Sequence, residues 1–364
     1  MIAALTTRWT LYVPILAALV LALSWGRSVP GLIVALVSLA LVGAVLAAVY
    51  HAEVVAHRVG EPFGSLVLAV AVTVIEVALI VTMMVSGGEK AASLARDTVF
   101  AAVMITCNGI FGLVLLVGAL RRRVAVFNSE GTGAALATVA TIATLSLVLP
   151  TFTTSKPGPE FSVAQLAFAA VASLLLYGLF VMVQTVRHPD DFLPVEDGGA
   201  VDDDDDPHGA LPSKKTALSS LGLLVLALIC VVGLAKVVSP TLESAVNSAG
   251  LPQSAVGVVI AMLVLLPETL AAVNSARRNR VQIGLNLALG SAMASIGLTI
   301  PVIAIATIWL SGPLVLGLGA TQMVLLALTV AVGTLTIVPG RATLLHGGVH
   351  LALFAAFVFL AASP

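Results

Sequence analysis

The chain has little charge. Only 10% of its 364 residues are charged, whereas 59% are hydrophobic and the mean hydropathy is +1.12. Because a soluble globular domain is about one-quarter charged, this shortage excludes a soluble fold and places most of the chain in lipid. The formal net charge of −1 says nothing about partners, since the charged residues are mostly confined to segments between apolar runs.

Cysteines and catalytic motifs are scarce as well. The two cysteines, Cys107 and Cys230, lie inside apolar runs, so we predict no disulfide framework and no thiolate metal site. The sequence has no glycine-rich nucleotide-binding loop and no hydrolase motif, and we therefore expect neither an enzyme nor a cofactor. The apolar run after Arg8 lacks a small-residue cleavage site, so we interpret it as a retained span rather than a signal peptide.

Long apolar segments are what the sequence has in abundance. A membrane-spanning helix needs about 20 mostly apolar residues. Eleven segments qualify, at residues 9–26, 31–50, 63–86, 98–120, 133–150, 162–186, 217–238, 253–276, 283–309, 313–338 and 342–362. The sequence therefore predicts an all-α integral membrane protein with about 11 transmembrane helices. Twelve of the 17 lysines and arginines lie in the N-terminus and the even-numbered loops, which predicts a cytoplasmic N-terminus.

A polar segment at residues 188–216 divides the chain. It holds half of the chain's 18 carboxylates, including the run Asp202 to Asp206, and such a like-charge block is typical of a solvated linker. A cytoplasmic Ca²⁺ sensor is the alternative, although the run lacks the turn glycine of an EF-hand loop. The excess of lysine and arginine in the even-numbered loops predicts that this linker is cytoplasmic.

The linker separates two halves with five spans each. Residues 1–50 hold the N-terminal helix and the first helix of repeat 1, residues 31–187 form repeat 1 (spans 2–6), and residues 217–364 form repeat 2 (spans 7–11). Because five is odd, the two halves must insert with opposite orientation. Inverted repeats with an ion site near the bilayer midplane are a recurrent transporter plan.

Two glutamates, Glu76 and Glu268, lie near the centres of the third and eighth spans. Hydrocarbon tolerates an ionisable side chain when it faces a cavity or a partner, so each is a functional-site hypothesis. The alternative is a protonated glutamate that is hydrogen-bonded to a neighbouring helix. Each glutamate lies in the second span of its half, and this matched placement predicts two copies of one ion site.

Carboxylates in such a site would bind protons and a hard cation in competition. Ca²⁺ accepts irregular sets of about 6–8 oxygens, whereas Mg²⁺ demands nearly octahedral geometry. Two carboxylates neutralise one Ca²⁺ or two protons, so the site could cross the membrane neutral in either state. Pro267 removes a backbone hydrogen bond and could free a carbonyl as a ligand, or it could simply kink the helix. Thr73, one turn before Glu76, could add a hydroxyl or bond to its own helix.

Small polar residues on the fourth and ninth spans are further candidates. Asn108, Asn286, Gly290 and Ser291 could serve the ion, or they could let helices approach closely. The predicted metal site is thus Glu76 and Glu268, supported by Thr73, Asn108, Pro267, Asn286, Gly290 and Ser291. On the last span, His346 and His350 are one turn apart, a spacing that suits a metal ion, with packing as the alternative.

Several stretches resemble the calcium/cation–proton antiporters, in particular their bacterial ChaA-type branch. These are FGSLVLAVAVTVIEVALI, the DDDDDPHG linker, LLPETLAAVNSARRNRVQIGLNLALGSAMASIGLTIPV and GRATLLHGGVHLALFAAF, and the resemblance covers residue 51 to the end. It implies ten core helices plus an extra first helix, with Glu76 and Glu268 as the two essential acidic residues. It also implies Na⁺ and K⁺ as substrates besides Ca²⁺.

The chain departs from the family pattern at a few positions. The family's asparagine one turn before each glutamate is replaced by Thr73 and Leu265, so neither position offers an amide ligand. The family's Gly-Ser pair is present on the ninth span as Gly290 and Ser291. Its counterpart on the fourth span reads Thr98-Val99.

The sequence therefore predicts a secondary-active antiporter of the bacterial inner membrane that exchanges Ca²⁺ for protons. A monovalent Na⁺(K⁺)/H⁺ antiporter is the alternative within this class. A passive cation channel is the alternative from another class, although its pore would usually carry rings of ligands from several subunits. The expected partners are membrane lipid, Ca²⁺ and protons, with no nucleic acid, and the sequence does not determine the oligomeric state.

Overall fold

Most of the chain is helical in the computed structural model. The structure describes residues 9–27, 31–60, 71, 73–82, 84, 92–195, 212–248, 250, 252, 254–309 and 312–363. Each of the eleven predicted spans overlaps a helix in these residues, although the bounds differ; the predicted tenth span, for example, is helical only from Ala320 to Ile337. Much of the predicted third span and the run Asp202 to Asp206 lie outside them.

The described residues form twelve main helices. In chain order they are α1 (Trp9–Ser24), α2 (Gly31–Val59), α3 (Thr73–Thr82), α4 (Leu94–Arg122), α5 (Ser129–Thr151), α6 (Val163–Arg187), α7 (Lys214–Ser248), α8 (Ser254–Val264), α9 (Leu266–Arg277), α10 (Val281–Ala306), α11 (Ala320–Ile337) and α12 (Leu344–Ala362). Among the described residues, eight helices are long and apolar enough to cross a membrane, or nine if the bent pair α8–α9 is one span. The chain is a multi-pass, all-α membrane protein, as predicted.

One compact unit comprises Met1–Leu79 and Val195–Thr241. In α1, Pro14 has no N–H, so the carbonyl of Thr10 loses its helical partner. His51 of α2 replaces it, with Nε2 2.9 Å from that oxygen. On α7, a Cβ at Gly233 would lie 2.6 Å from the side chain of Leu21, so glycine permits this close approach of α1 and α7. The first helix is therefore packed into this unit.

The second compact unit comprises Ile80–Pro194 and Leu242–Pro364. Its core is α4, because 89% of the most apolar 18-residue stretch of this helix is buried. Where α12 crosses α4, a Cβ at Gly347 would lie 3.0 Å from the carbonyl oxygen of Gly112. Where α10 crosses α6, a Cβ at Gly297 would lie 2.8 Å from Tyr177. Small residues at such crossings let membrane helices approach closely.

The apolar pattern did not predict two local features of the second unit. A two-residue strand β1 (Ala125–Val126) pairs antiparallel with β2 (Arg341–Ala342), so the last helix begins at Leu344 instead of residue 342. In addition, π-turns occur at Ile105–Ile110 in α4, Thr144–Val148 in α5 and Val183–Arg187 in α6. Because π-turns are rare and often occur at functional sites, the one at the centre of α4 marks a candidate functional region.

Candidate functional site

Glu76 is buried on α3. Its exposed fraction is 2%, and that of Thr73, three residues earlier, is 5%. Residues three apart lie on the same face of a helix, whereas Val74 on another face is 43% exposed. The carboxylate and the hydroxyl therefore share the buried face of α3, and their service of one ion stays a prediction.

Glu268 lies in the first turn of α9, directly after a break in the eighth span. The axes of α8 and α9 differ by 53°, and Leu265 is the residue between them. Pro267 also lies in this first turn, where a helix needs no N–H from it. The new helix thus begins at Leu266, and the proline is accommodated in its first turn. Since the N-terminus of a helix carries partial positive charge, the position favours the carboxylate of Glu268, which is 9% exposed.

Close backbone contacts hold both halves of the broken span. On α8, a Cβ at Gly257 would lie 3.0 Å from the backbone nitrogen of Thr98 on α4. On α10, a Cβ at Gly284 would lie 2.9 Å from the carbonyl oxygen of Ala272 on α9. The position of Glu268 is therefore determined by contacts in which glycine is the residue that fits.

Asn108 is fully buried in the π-turn of α4. Its amide nitrogen donates to the hydroxyl of Thr329 on α11 at 2.9 Å. Its amide oxygen lies 3.2 Å from Nδ1 of His350 on α12. Both ends of the amide are thus hydrogen-bonded in this structure. A role for Asn108 as an ion ligand stays a prediction, and it would require at least one of these hydrogen bonds to break.

Asn286 on α10 is also engaged. It accepts a hydrogen bond from Gln282 at 2.8 Å and donates one to the carbonyl of Phe192 at 2.7 Å. Phe192 ends the short 3-10 turn Pro189–Phe192, where the acidic linker begins. In this structure Asn286 therefore anchors the start of the linker to α10, and a ligand role for its side chain stays a prediction.

Gly290 and Ser291, one turn further along α10, are half-buried. A Cβ at Gly290 would meet no atom within 4 Å among the described residues. Ser295 and Thr299 continue the same row of hydroxyls at spacings of four residues and are buried. Thr299 was not among the predicted site residues, although the spacing of the three hydroxyls is a signal that could have identified it.

Asp97 is a second buried carboxylate of the second unit that the sequence analysis did not single out. It is 4% exposed and accepts hydrogen bonds from Arg96 at 2.8 Å, Ser93 at 2.9 Å and Gln322 at 3.4 Å. Arg96, Asp97 and Gln322 line a cavity of about 290 Å³ together with apolar side chains such as Phe100. The adjacent residues Arg96 and Asp97, directly before the predicted fourth span, are the sequence signal that could have identified this carboxylate.

The two histidines of α12 lie in different environments. His350 is buried, whereas His346 is half-buried and its Nδ1 accepts from the backbone nitrogen of Thr343 at 3.1 Å. Within the part of the chain that the structure describes, no group of three or more His, Cys, Asp or Glu side chains could hold a metal ion. The arrangement therefore favours packing over a shared metal for this pair.

Comparison with known proteins adds independent information. The sodium/calcium exchanger protein family matches residues 28–186 and 219–362. The chain is 46% identical to the putative ionic transporter y4hA of Sinorhizobium fredii, over 98% of this chain and 96% of that protein. It is 36% identical to the sodium-potassium/proton antiporter ChaA of Escherichia coli, over 96% and 94%, and 25% identical to the Ca²⁺/H⁺ antiporter of Aphanothece halophytica, over 83% and 82%.

The fold has a counterpart among solved structures. The structure of native YfkE matches with a TM-score of 0.72 at 17% identity, covering 98% of this chain and 99% of that one. At this identity the match supports the fold alone. The helices that carry Glu76 and Glu268 thus belong to a known membrane architecture.

Proposed function

The chain belongs to the sodium/calcium exchanger protein family, and from this premise we propose that it exchanges Ca²⁺ for protons across a bacterial inner membrane, with Glu76 and Glu268 as the exchanging groups. Proteins of this family are secondary transporters, not enzymes, and need no cofactor. The transported ions are substrates, and the proton gradient drives the exchange.

The burial of one carboxylate in each of two apolar spans carries this proposal. Glu76 is 2% exposed and Glu268 is 9% exposed, and ionisable groups in hydrocarbon are costly unless they have a function. Discontinuous helices build ion sites in many transporters, and the break at Leu265 puts Glu268 at such a helix end. The matched positions of the two glutamates in the two halves support a single shared function.

Competition for carboxylate oxygens would couple the two fluxes. One Ca²⁺ or two protons would neutralise Glu76 and Glu268, and helix movement between inverted repeats would expose them to each side in turn. Thr73, Ser291 and carbonyls freed near Pro267 could supply further oxygens, and Gly290 adds no side chain beside them on α10. In this proposal the N-terminus and the acidic linker lie in the cytoplasm, as the distribution of lysine and arginine favours.

Exchange of Na⁺ or K⁺ for protons is the second candidate. It is favoured by the similarity to ChaA, whose name specifies sodium, potassium and protons. It is also favoured by Leu265, which supplies no side-chain oxygen one turn before Glu268, because Ca²⁺ requires about 6–8 oxygens. Membership in a family of secondary transporters argues for either exchange over a passive channel.

The test is a pH-gradient collapse assay in everted vesicles, with Ca²⁺, Na⁺, K⁺ and Mg²⁺ added in parallel. We expect Ca²⁺ to release protons in the wild type, and both Glu76→Gln and Glu268→Gln to abolish this response, because glutamine keeps the shape and loses the titratable charge. Glu130→Gln is the matched control, since Glu130 is exposed at the start of α5. Near-normal exchange in either of the first two variants, inserted at wild-type level, would refute the two-carboxylate mechanism.

A further inference from the structure

A chain of buried hydrogen bonds connects α4, α11 and α12. It runs from Thr336 to His350 at 3.2 Å, from His350 to Asn108 at 3.2 Å, and from Asn108 to Thr329 at 2.9 Å. Each of these four side chains is at most 2% exposed. Buried polar groups are costly unless their hydrogen bonds are made, so this chain is a built feature of the second unit.

The partners of this chain determine the tautomer of His350. The hydroxyl of Thr329 donates its hydrogen to the carbonyl of Leu325 at 2.8 Å, so its oxygen accepts from the amide nitrogen of Asn108. The amide oxygen of Asn108 then faces Nδ1 of His350 and can only accept, so Nδ1 carries the hydrogen. Nε2 is therefore an acceptor, and Thr336 donates to it. This arrangement satisfies both ring nitrogens of a neutral imidazole.

The chain holds an irregular part of α4 that lies beside the candidate site. The π-turn Ile105–Ile110, which contains Asn108, packs against α9 and α10 as well as α11 and α12. At Gly112, one turn beyond Asn108, a Cβ would lie 3.0 Å from Cβ of His350, so glycine lets α12 come close enough for the imidazole to reach the amide. The ring of Phe111 packs on the imidazole with centroids 4.9 Å apart.

We propose that His350 is a positioning residue for ion exchange. As the neutral Nδ1–H tautomer it orients Asn108, and through Asn108 it holds the π-turn of α4 against α9, which carries Glu268, and α10, which carries Gly290 and Ser291. His350 acts through Asn108 and not on the ion itself. This inference rests on the exchange function proposed above, and its test includes a measurement that does not depend on transport.

The transport test uses purified protein in proteoliposomes and compares variants of the chain. His350→Leu removes both ring nitrogens, and we expect the KM for the cation that the wild type transports to rise about 10-fold or more, in the range found for residues that support ion ligands. His350→Asn puts an amide N–H at the position of Nδ1 and should recover most of the loss. Recovery by this variant distinguishes positioning from bulk packing, since asparagine fills the space less well than leucine.

A matched pair of threonines on α11 tests the other end of the chain. Thr336→Val removes the donor to Nε2 and should raise the cation KM. Thr334→Val is the control, because Thr334 is exposed and donates to the carbonyl of its own helix at Val330, 2.8 Å away. An unchanged cation KM in His350→Leu and Thr336→Val, with only a lower melting temperature, would overturn the positioning role.

The spectroscopic test uses the full-length protein labelled with ¹⁵N-histidine in lipid nanodiscs, with His350→Asn to assign the signal among the chain's six histidines. We expect one protonated nitrogen, Nδ1, and one unprotonated nitrogen, Nε2. An Nε2–H tautomer or a doubly protonated ring would overturn the inference. If the wild type exchanged no cation, the proposed function and this role would both fail, whereas exchange with the wrong tautomer would refute only the role of His350.

Discussion

The contact between α8 and α4 at Gly257 makes a quantitative prediction. A Cβ on this residue would lie 3.0 Å from the backbone nitrogen of Thr98, 3.1 Å from its hydroxyl and 3.1 Å from the carbonyl carbon of Asp97. Two of these three atoms belong to backbone, which cannot rotate away. Gly257→Ala should therefore push α8 from α4 by a few tenths of an ångström.

The stability lost through overpacking in Gly257→Ala can be separated from the gain in helix propensity that any glycine-to-alanine change brings. Overpacking a well-packed contact costs about 1–3 kcal/mol, while alanine gains at most about 1 kcal/mol over glycine in a helix. Gly178→Ala is the control, since Gly178 lies within α6 and an added Cβ there would meet nothing within 4 Å of the described atoms. Gly178→Ala gains only the higher helix propensity of alanine. The free energies of unfolding of the two variants should therefore differ by about 1–3 kcal/mol.

The assay is reversible unfolding in mixed micelles, followed by helical circular dichroism, with exchange activity measured on the same preparations. Gly257→Ala should unfold more readily than Gly178→Ala and exchange ions more slowly, because α8 leads directly to the break before Glu268. Equal stability of the two variants would show that α8 and α4 do not make this close contact in the folded protein.

Three further predictions follow from the proposed exchange. If protons and Ca²⁺ compete for Glu76 and Glu268, the apparent Ca²⁺ affinity should weaken as the pH falls, and an affinity that stays flat from mildly acidic to alkaline pH would require separate sites. Deletion of Asp202 through Asp206 should leave exchange running and alter at most its regulation, so loss of activity in a well-inserted deletion variant would place the run on the ion path. If two carboxylates alone titrate, one Ca²⁺ exchanges for two protons and an imposed membrane potential should have little effect on the rate in proteoliposomes, provided that K⁺ is not transported. Net movement of one elementary charge per exchange cycle would contribute about 2.3 kcal/mol per 100 mV. A clear dependence of the rate on the membrane potential would therefore show that another group carries a proton.

The all-helical membrane class and the approximate positions of the spans could be predicted from the sequence. Hydrocarbon cannot satisfy exposed backbone groups, so a spanning segment must be a long apolar helix and is visible as a run of residues. The same physics singled out Glu76 and Glu268, because a charge inside such a run is rare. Pro267 indicated a disturbance of the eighth span, and the structure contains a 53° break two residues before it.

The partners of the polar side chains could not be predicted in this way. Asn108 was a candidate ligand by its position in the fourth span, but its amide bonds to Thr329 and His350, which lie 221 and 242 residues further along the chain. The strand pair of Ala125 with Ala342 likewise joins residues that are far apart in sequence. Such contacts have no local signature, because they depend on which helices pack together.

Hydropathy and charge are properties of a short stretch of chain, and they alone determined that this protein is a helical membrane protein with two carboxylates inside its apolar spans. Close packing decided the rest. Gly257 and Gly284 bring backbones into contact on either side of the break before Glu268, and a shift of a few tenths of an ångström there would change the surroundings of the carboxylate. Since interiors are packed without slack, the geometry around Glu268 and the tautomer of His350 are set only when α4, α8, α9, α10, α11 and α12 are assembled.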